Sequence, residues 1–314
     1  MKPSLTLTRI GFGAAAIGNL YTAVSPETAQ AAVDAAWSGG IRYFDTAPHY
    51  GLGVSEQRLG GALARYPRDE YVLSSKVGRL LRPGSTAGPD PGFAVESNLE
   101  RVWDFSRDGV LRSIEESLTR LGTDRLDIVY LHDPDDHWAE AVDQAAPTLA
   151  ELRDQGVIGA FGAGMNQSAM LTRFVRETSV DIVLVAGRLT LLDPSASLDL
   201  LPAARERNVT IVAAGVFNSG LLALPRPPQD ARYDYVQAPP ELIARADAIA
   251  DVCEFHGVTL PEAAIAYPLR FSEVSSVLLG MRTPEEVTQN LGASDGKVPT
   301  QLWTDLAEKG LVTA

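Results

Sequence analysis

The sequence predicts an α/β protein built as a (β/α)8 barrel, with long connections on one face and extra helices near its C-terminal end. Three observations carry this prediction. Eight short runs rich in Val, Ile, Tyr and Phe recur along the chain, and longer amphipathic stretches separate them. Several of the runs are apolar at consecutive positions, as parallel strands covered on both faces require. The intervening helices supply the crossovers that parallel strands need. An open, doubly wound sheet is the weaker alternative, because no GxGxxG-type turn follows the first run.

Taken in order, the strands are expected at 9–14, 41–46, 71–76, 126–131, 157–165, 181–185, 209–214 and 274–280. The first helix starts at Ser25-Pro26-Glu27, where an N-cap serine, a proline at the first helical position and an early acid coincide. Leu111, Ile114, Leu118 and Leu121 predict a helix with one apolar face, stopped by Gly122. The connections 80–105 and 215–239 are too long for turns and follow strands, so they are expected to wall or cover a cleft. A last helix is expected over 301–311, packed outside the barrel.

The 314 residues, 45% hydrophobic and 21% charged, suit one folded unit spanning 1–314 and exclude a disordered or collagen-like chain. The 27 Lys and Arg against 40 Asp and Glu give a net charge of −13, which disfavours nucleic acid and anionic membrane surfaces as partners. A local pocket for a single nucleotide is still compatible with that charge. Cys253 is the only cysteine, so no intrachain disulfide can form. With no apparent signal peptide and no apolar stretch of roughly 20 residues, a cytoplasmic location is expected.

Chemistry concentrates at three strand ends. The second run finishes Phe44-Asp45-Thr46-Ala47-Pro48-His49-Tyr50-Gly51, the third Ser74-Ser75-Lys76-Val77-Gly78, and the fourth Tyr130-Leu131-His132-Asp133. Charged groups directly after apolar strands sit partly buried at the barrel mouth, where Asp45 and Lys76 can pair. A lysine beside a tyrosine stabilises phenolate, so Tyr50 is expected to have its pKa lowered toward neutrality and to serve as acid or base. His132 can donate to or accept from the same substrate oxygen.

These residues resemble the aldo-keto reductase superfamily, and the resemblance runs from Gly11-Phe12-Gly13 to Pro284-Glu285-Glu286-Val287-Thr288-Gln289-Asn290. It implies that Asp45, Tyr50, Lys76 and His132 form a catalytic tetrad and that a nicotinamide nucleotide lies across the C-terminal face of the barrel. By position, Asn166 would hold the carboxamide, and Phe217, Asn218, Ser219, Gly220 and Leu221 would wrap the pyrophosphate. Gly280, Arg282, Glu286, Gln289 and Asn290 would serve the adenosine end. The usual glutamine after the sixth strand and aromatic after the seventh are replaced by Gly187-Arg188 and Gly215-Val216, so the nicotinamide contacts are expected to differ, with Arg188 in an unusual role. Many members with NADP preference carry arginine where this chain has Glu286. A carboxylate opposes a 2′-phosphate and accepts from ribose hydroxyls, so NAD is the expected cofactor, with NADP as the alternative.

Within the superfamily, the stretches around Tyr50, His132 and Asn218 resemble bacterial sugar and pyridoxal dehydrogenases. That implies oxidation of a cyclic hemiacetal, such as an aldose, to its lactone; pyridoxal oxidation or general aldehyde and ketone reduction are the alternatives. His49, Trp103, Phe105, His137 and Trp138 are the expected substrate-lining residues, since sugars stack on aromatics. Two other classes compete: a metal site from His132, Asp133, Asp135, Asp136 and His137, and a non-catalytic nucleotide sensor. No resident metal is expected, and the sequence leaves the oligomeric state open.

Overall fold

The computed structural model describes residues 5–234 and 236–312. Among these, eight parallel strands close into a barrel in sequential order. They are β1 (Ile10–Gly13), β2 (Tyr43–Asp45), β3 (Val72–Val77), β4 (Ile128–His132), β5 (Ala160–Met165), β6 (Ile182–Ala186), β7 (Thr210–Ala214) and β8 (Val274–Gly280). Every expected run overlaps one of them, and β3, β4 and β6 each extend one residue past the expected end. Closure comes from β1 against β8, with Ile10 opposite Val277 and Gly13 opposite Gly280.

The barrel interior is a packed core, as a closed eight-stranded sheet requires. Tyr43, Ile128, Tyr130, Ile182, Leu184, Val212 and Leu278 fill it, and Leu5 and Leu7 pack against this cluster. Outward-facing strand residues, including Phe12, Phe44, Val129, Phe161 and Val183, meet the helices.

The first helix, Pro26–Ser38, begins as its sequence dictates, with Ser25 Oγ accepting the Thr28 N–H at 3.1 Å. The helix Arg107–Leu121 ends at Gly122 in a left-handed conformation. Its buried face is Val110, Ser113, Ile114, Ser117 and Leu121, while Leu111 points outward. Of the expected stripe, Ile114, Leu118 and Leu121 pack against the core, and only Leu111 is corrected, to an exposed position on the outer side. A final helix spans Thr300–Glu308 and buries Leu302, Trp303 and Leu306.

The connection after β3, expected to wall or cover a cleft, is an antiparallel hairpin of Arg79–Pro89 and Glu96–Trp103. Its tip turns back over the barrel mouth. Asn19 and Ala94 exchange two hydrogen bonds, Asn19 Nδ2 to Ala94 O at 3.1 Å and Ala94 N to Asn19 O at 2.8 Å. The connection after β7 carries a short turn, Asn218–Gly220, and a two-residue ladder pairing Arg232–Tyr233 with Val236–Gln237. No helix among the described residues is long and apolar enough to cross a membrane.

Candidate active site

Strand register brings the chemical groups together. Asp45 ends β2 opposite Ser74, Lys76 on β3 lies opposite Tyr130, and His132 ends β4 opposite Gly164. Three neighbouring strands thus deliver Asp45, Lys76 and His132 to one patch of the barrel mouth. Lys76 Nζ donates to Asp45 Oδ2 at 2.5 Å and to Thr46 O at 3.0 Å, and Ser74 Oγ donates to Asp45 Oδ1 at 2.6 Å.

Tyr50 arrives on a tightly pinned turn. Ser55 Oγ donates to Ala14 O at 2.7 Å and lies 2.8 Å from Thr46 Oγ1, while the Ser55 N–H returns to Tyr50 O at 3.2 Å. Gly51 has φ +61°, and a Cβ there would stand 2.2 Å from Gly18 O, so the turn closes only with glycine. Behind it, the fully buried Glu56 accepts from Ser75 Oγ at 2.8 Å and Arg120 Nε at 2.6 Å, tying the turn's helix to β3. The result places Lys76 Nζ 4.8 Å from the centre of the Tyr50 ring, with the His132 ring edge-on to it at 5.7 Å.

Burial works against the Lys76 ammonium, but Asp45 and Tyr50 outweigh it and lift its pKa above the usual lysine value. For Tyr50 the balance goes the other way. Burial raises the phenol more than the Lys76 charge lowers it, so its pKa stands above that of an ordinary tyrosine. This corrects the expected drop toward neutrality: in the chain by itself, Tyr50 is a neutral hydroxyl and a proton donor. His132 is held neutral, with its pKa well below the usual histidine value, by burial and then by Arg79 and Lys76. His49 is pushed down to about 3 by burial, Arg79 and Arg101.

A cavity of about 450 Å³ opens over these groups, bordered by His49, Tyr50, Lys76, His132 and, from the hairpin tip, Phe93. Of the expected substrate residues only His49 borders it. Trp103, Phe105 and His137 form a separate stack outside, with Trp103 5.8 Å from Phe105 and 4.9 Å from His137. Phe105 is wholly buried beneath Gly78, whose positive φ and missing Cβ leave room for the ring. Trp138 packs on Phe174 and under Arg173 on an outer helix. Those four residues support the hairpin and the barrel wall. Phe93 and Asp133 border the cavity and were not singled out from the sequence as substrate-pocket residues, nor were Arg79 and Arg101, which stand behind the lining. Arg79 Nη2 bonds Asp133 Oδ2 at 2.5 Å, its guanidinium covers Trp103 at 4.4 Å, and Arg101 reaches His49 O at 3.0 Å while pairing with Asp90. Arg79 was legible, since it directly follows the β3 end that supplied Lys76.

The residues entertained as a metal cluster disperse. Asp133 pairs with Arg79, Asp135 accepts from Gln167, and His137 stacks on Trp103. Among the described residues no group of three His, Cys, Asp or Glu side chains converges as a cation site.

A second cavity, about 550 Å³, adjoins the first at Leu20, Tyr21, Asn166 and Ala186 and extends to the far rim. Asn166, Phe217, Asn218, Ser219, Gly220, Gly280, Arg282, Glu286, Gln289 and Asn290 all border it. Leu221 does not: it is fully buried in the core. An extended nucleotide fits this cleft. Asn218, Ser219 and Gly220 have φ of 46°, 59° and 100°, a tight left-handed run along the cleft closed by the Asn218 N–H to Gly215 O at 2.9 Å and the Gly220 N–H to Phe217 O at 3.0 Å. Asn218 Oδ1 is buried without a hydrogen-bond partner, an acceptor suited to a carboxamide or ribose hydroxyl. Arg188 bonds Asn166 O at 2.9 Å and Asp234 Oδ2 at 2.8 Å, joining the Asn166 wall to the loop on the opposite side. At the far rim the Glu286 carboxylate accepts from the Arg282 N–H at 2.7 Å and Arg282 Nε at 3.1 Å.

Comparison with known proteins agrees with this geometry. The sequence pattern of the Aldo/keto reductase family matches residues 9–310. A D-threo-aldose 1-dehydrogenase from a Pseudomonas species is 48% identical over 98% of this chain and 95% of its own length. A pyridoxal 4-dehydrogenase from Microbacterium luteolum is 40% identical over 99% and 96%. Among solved structures, a glycerol dehydrogenase from Gluconobacter oxydans superposes with a TM-score of 0.79 at 25% identity, covering 98% of this chain and 94% of that one.

Proposed function

The chain belongs to the aldo/keto reductase family, enzymes that use nicotinamide cofactors, and we propose that this oxidoreductase converts a cyclic hemiacetal to its lactone. The observation that carries the reading is the convergence of Tyr50, Lys76 and His132 on one cavity that opens directly into the nucleotide-sized cleft. The similarity to a D-threo-aldose 1-dehydrogenase supports an aldose as the substrate class.

Asn166 and Asn218 would hold the nicotinamide end of the nucleotide, which would supply the hydride acceptor for the hemiacetal carbon. The protein's own groups handle the proton. The hemiacetal hydroxyl sits between Tyr50 and His132, and its proton passes to the Tyr50 oxygen as the carbon–oxygen bond becomes a carbonyl. Lys76, kept charged by Asp45, stabilises the phenolate that receives it. His132, neutral, hydrogen-bonds the same oxygen without competing as a cation. In the reverse direction Tyr50 donates, the state in which burial leaves it.

NAD is the preferred nucleotide in this reading. Glu286 occupies Arg282 through two hydrogen bonds, and Arg282 Nη1 also reaches Thr22 Oγ1 at 3.2 Å. The cation nearest the adenosine end is thereby neutralised rather than offered to a 2′-phosphate. The cavity next to Tyr50 is also wide enough for pyridoxal, and the second relative supports that alternative. The test is the rate of NAD or NADP reduction with L-fucose, D-arabinose, L-galactose and pyridoxal. An aldose with NAD gives the highest kcat/KM; turnover of none of the four overturns the proposal.

A further inference from the structure

We propose that Asp133 is a specificity-determining residue, whose carboxylate accepts hydrogen bonds from a substrate hydroxyl next to the reacting carbon. This rests on the hemiacetal reading above and names what the pocket recognises beyond the reacting group. Asp133 borders the substrate cavity, and its side chain keeps about one third of its surface exposed. Its Oδ2 is taken by Arg79, while no described residue donates to Oδ1. The Oδ2 bound by Arg79 also lies 3.6 Å from His132 Nε2, which places this carboxylate beside that ring. A substrate oxygen held by His132 therefore has Asp133 beside it, within reach of the oxygen one carbon along.

The backbone supports this aim. Asp133 has φ +43°, in the left-handed region that non-glycine residues enter at a cost, and its N–H is fixed to Gly164 O at 3.1 Å. Strand β4 would otherwise send this side chain outward, away from the cavity. Arg79 then balances the carboxylate in a half-buried setting, itself steadied by His49 Nδ1 at 3.3 Å and by Trp103. The Arg79–Asp133 pair is electrically balanced and still presents an acceptor, which suits a hydroxyl of a neutral substrate.

Asp133→Asn tests this, because asparagine tolerates the same backbone conformation and keeps an oxygen for Arg79. The measurement is kcat/KM for the preferred aldose and for its 2-deoxy analogue, in wild type and variant. Wild type is expected to lose roughly 10- to 100-fold on removal of the hydroxyl, and the variant less than about 3-fold, because the lost partner is shared. An equal deoxy penalty in both proteins overturns the proposal and leaves Asp133 as a support for Arg79. The wild-type deoxy series is informative alone: no penalty there also overturns it. If wild type oxidises no hemiacetal at all, the functional reading fails and this inference with it, an outcome distinct from the other two.

Discussion

Lys76 Nζ stands 2.5 Å from Asp45 Oδ2 and 4.8 Å from the centre of the Tyr50 ring, so one buried cation answers to two acidic groups at the floor of the cavity. Removing either partner has separable effects. Tyr50→Phe is expected to lower turnover by about 10²- to 10⁴-fold while nucleotide affinity, read by fluorescence titration, stays within about 2-fold. Retained turnover would take the proton-transfer role from Tyr50. Lys76→Met strands the Asp45 carboxylate and is expected to cost about 3–5 kcal/mol in urea unfolding.

Direction of reaction should follow pH in opposite senses. Tyr50 must be deprotonated to accept a proton, and burial holds its pKa above the ordinary tyrosine value. Below that pKa the phenolate fraction grows tenfold per pH unit, so kcat/KM for oxidation rises with pH. Aldehyde reduction, which uses the neutral phenol, falls only at the alkaline end. A flat oxidation profile between pH 7 and 10 would show that the Tyr50 proton is not limiting.

Cofactor choice rests on the Glu286–Arg282 pair at the rim. Glu286→Ala frees the guanidinium, so the ratio of kcat/KM with NADP to that with NAD is expected to rise by roughly 10-fold, the scale of one charge-assisted hydrogen bond. An unchanged ratio would show that the adenosine ribose lies elsewhere.

The Arg188–Asp234 bridge ties the Asn166 wall to the loop after β7. Asp234→Asn is expected to speed nucleotide release in stopped-flow by about 5-fold, the worth of one half-exposed ion pair. Stability should be almost unaffected. A release rate equal to wild type would mean that this loop does not hold the nucleotide.

Acid sensitivity follows from the two buried imidazoles. His49 and His132 have pKa values below that of an unfolded histidine, so below about pH 6.5 the unfolded chain binds more protons than the folded one. Stability is therefore expected to fall as pH drops from 7 to 4, with about two extra protons bound on unfolding. His49→Asn should remove about one of them in pH-dependent urea titrations.

Barrel strands were legible because burial on both faces leaves a continuous apolar run, as in Ile182–Ala186, and strand ends therefore pointed straight to Asp45, Lys76 and His132. The hairpin was not. Its arm Glu96–Trp103 alternates exposed and half-buried positions with charged residues, and glycines and prolines interrupt the facing arm, so local pattern reads as loop. The pairing that makes it a hairpin is long-range. Trp103, Phe105, His137 and Trp138 were misjudged for a related reason: aromatic character says a side chain wants burial but not against what. Asp133 stood in plain view next to His132, yet its role depends on a positive φ that no residue type announces.

The hairpin supplies Phe93 to a cavity whose reactive groups come from β2, β3 and β4, and from behind the lining its Arg79 and Arg101 hold Asp133 and His49. The hairpin and the strand ends thus shape one cavity together, and the hairpin joins the barrel at a single crossing after β3. Exchange or lengthening of the hairpin can diversify what enters while the proton-handling groups stay in register. A family built on this plan can change its diet by editing one excursion of the chain.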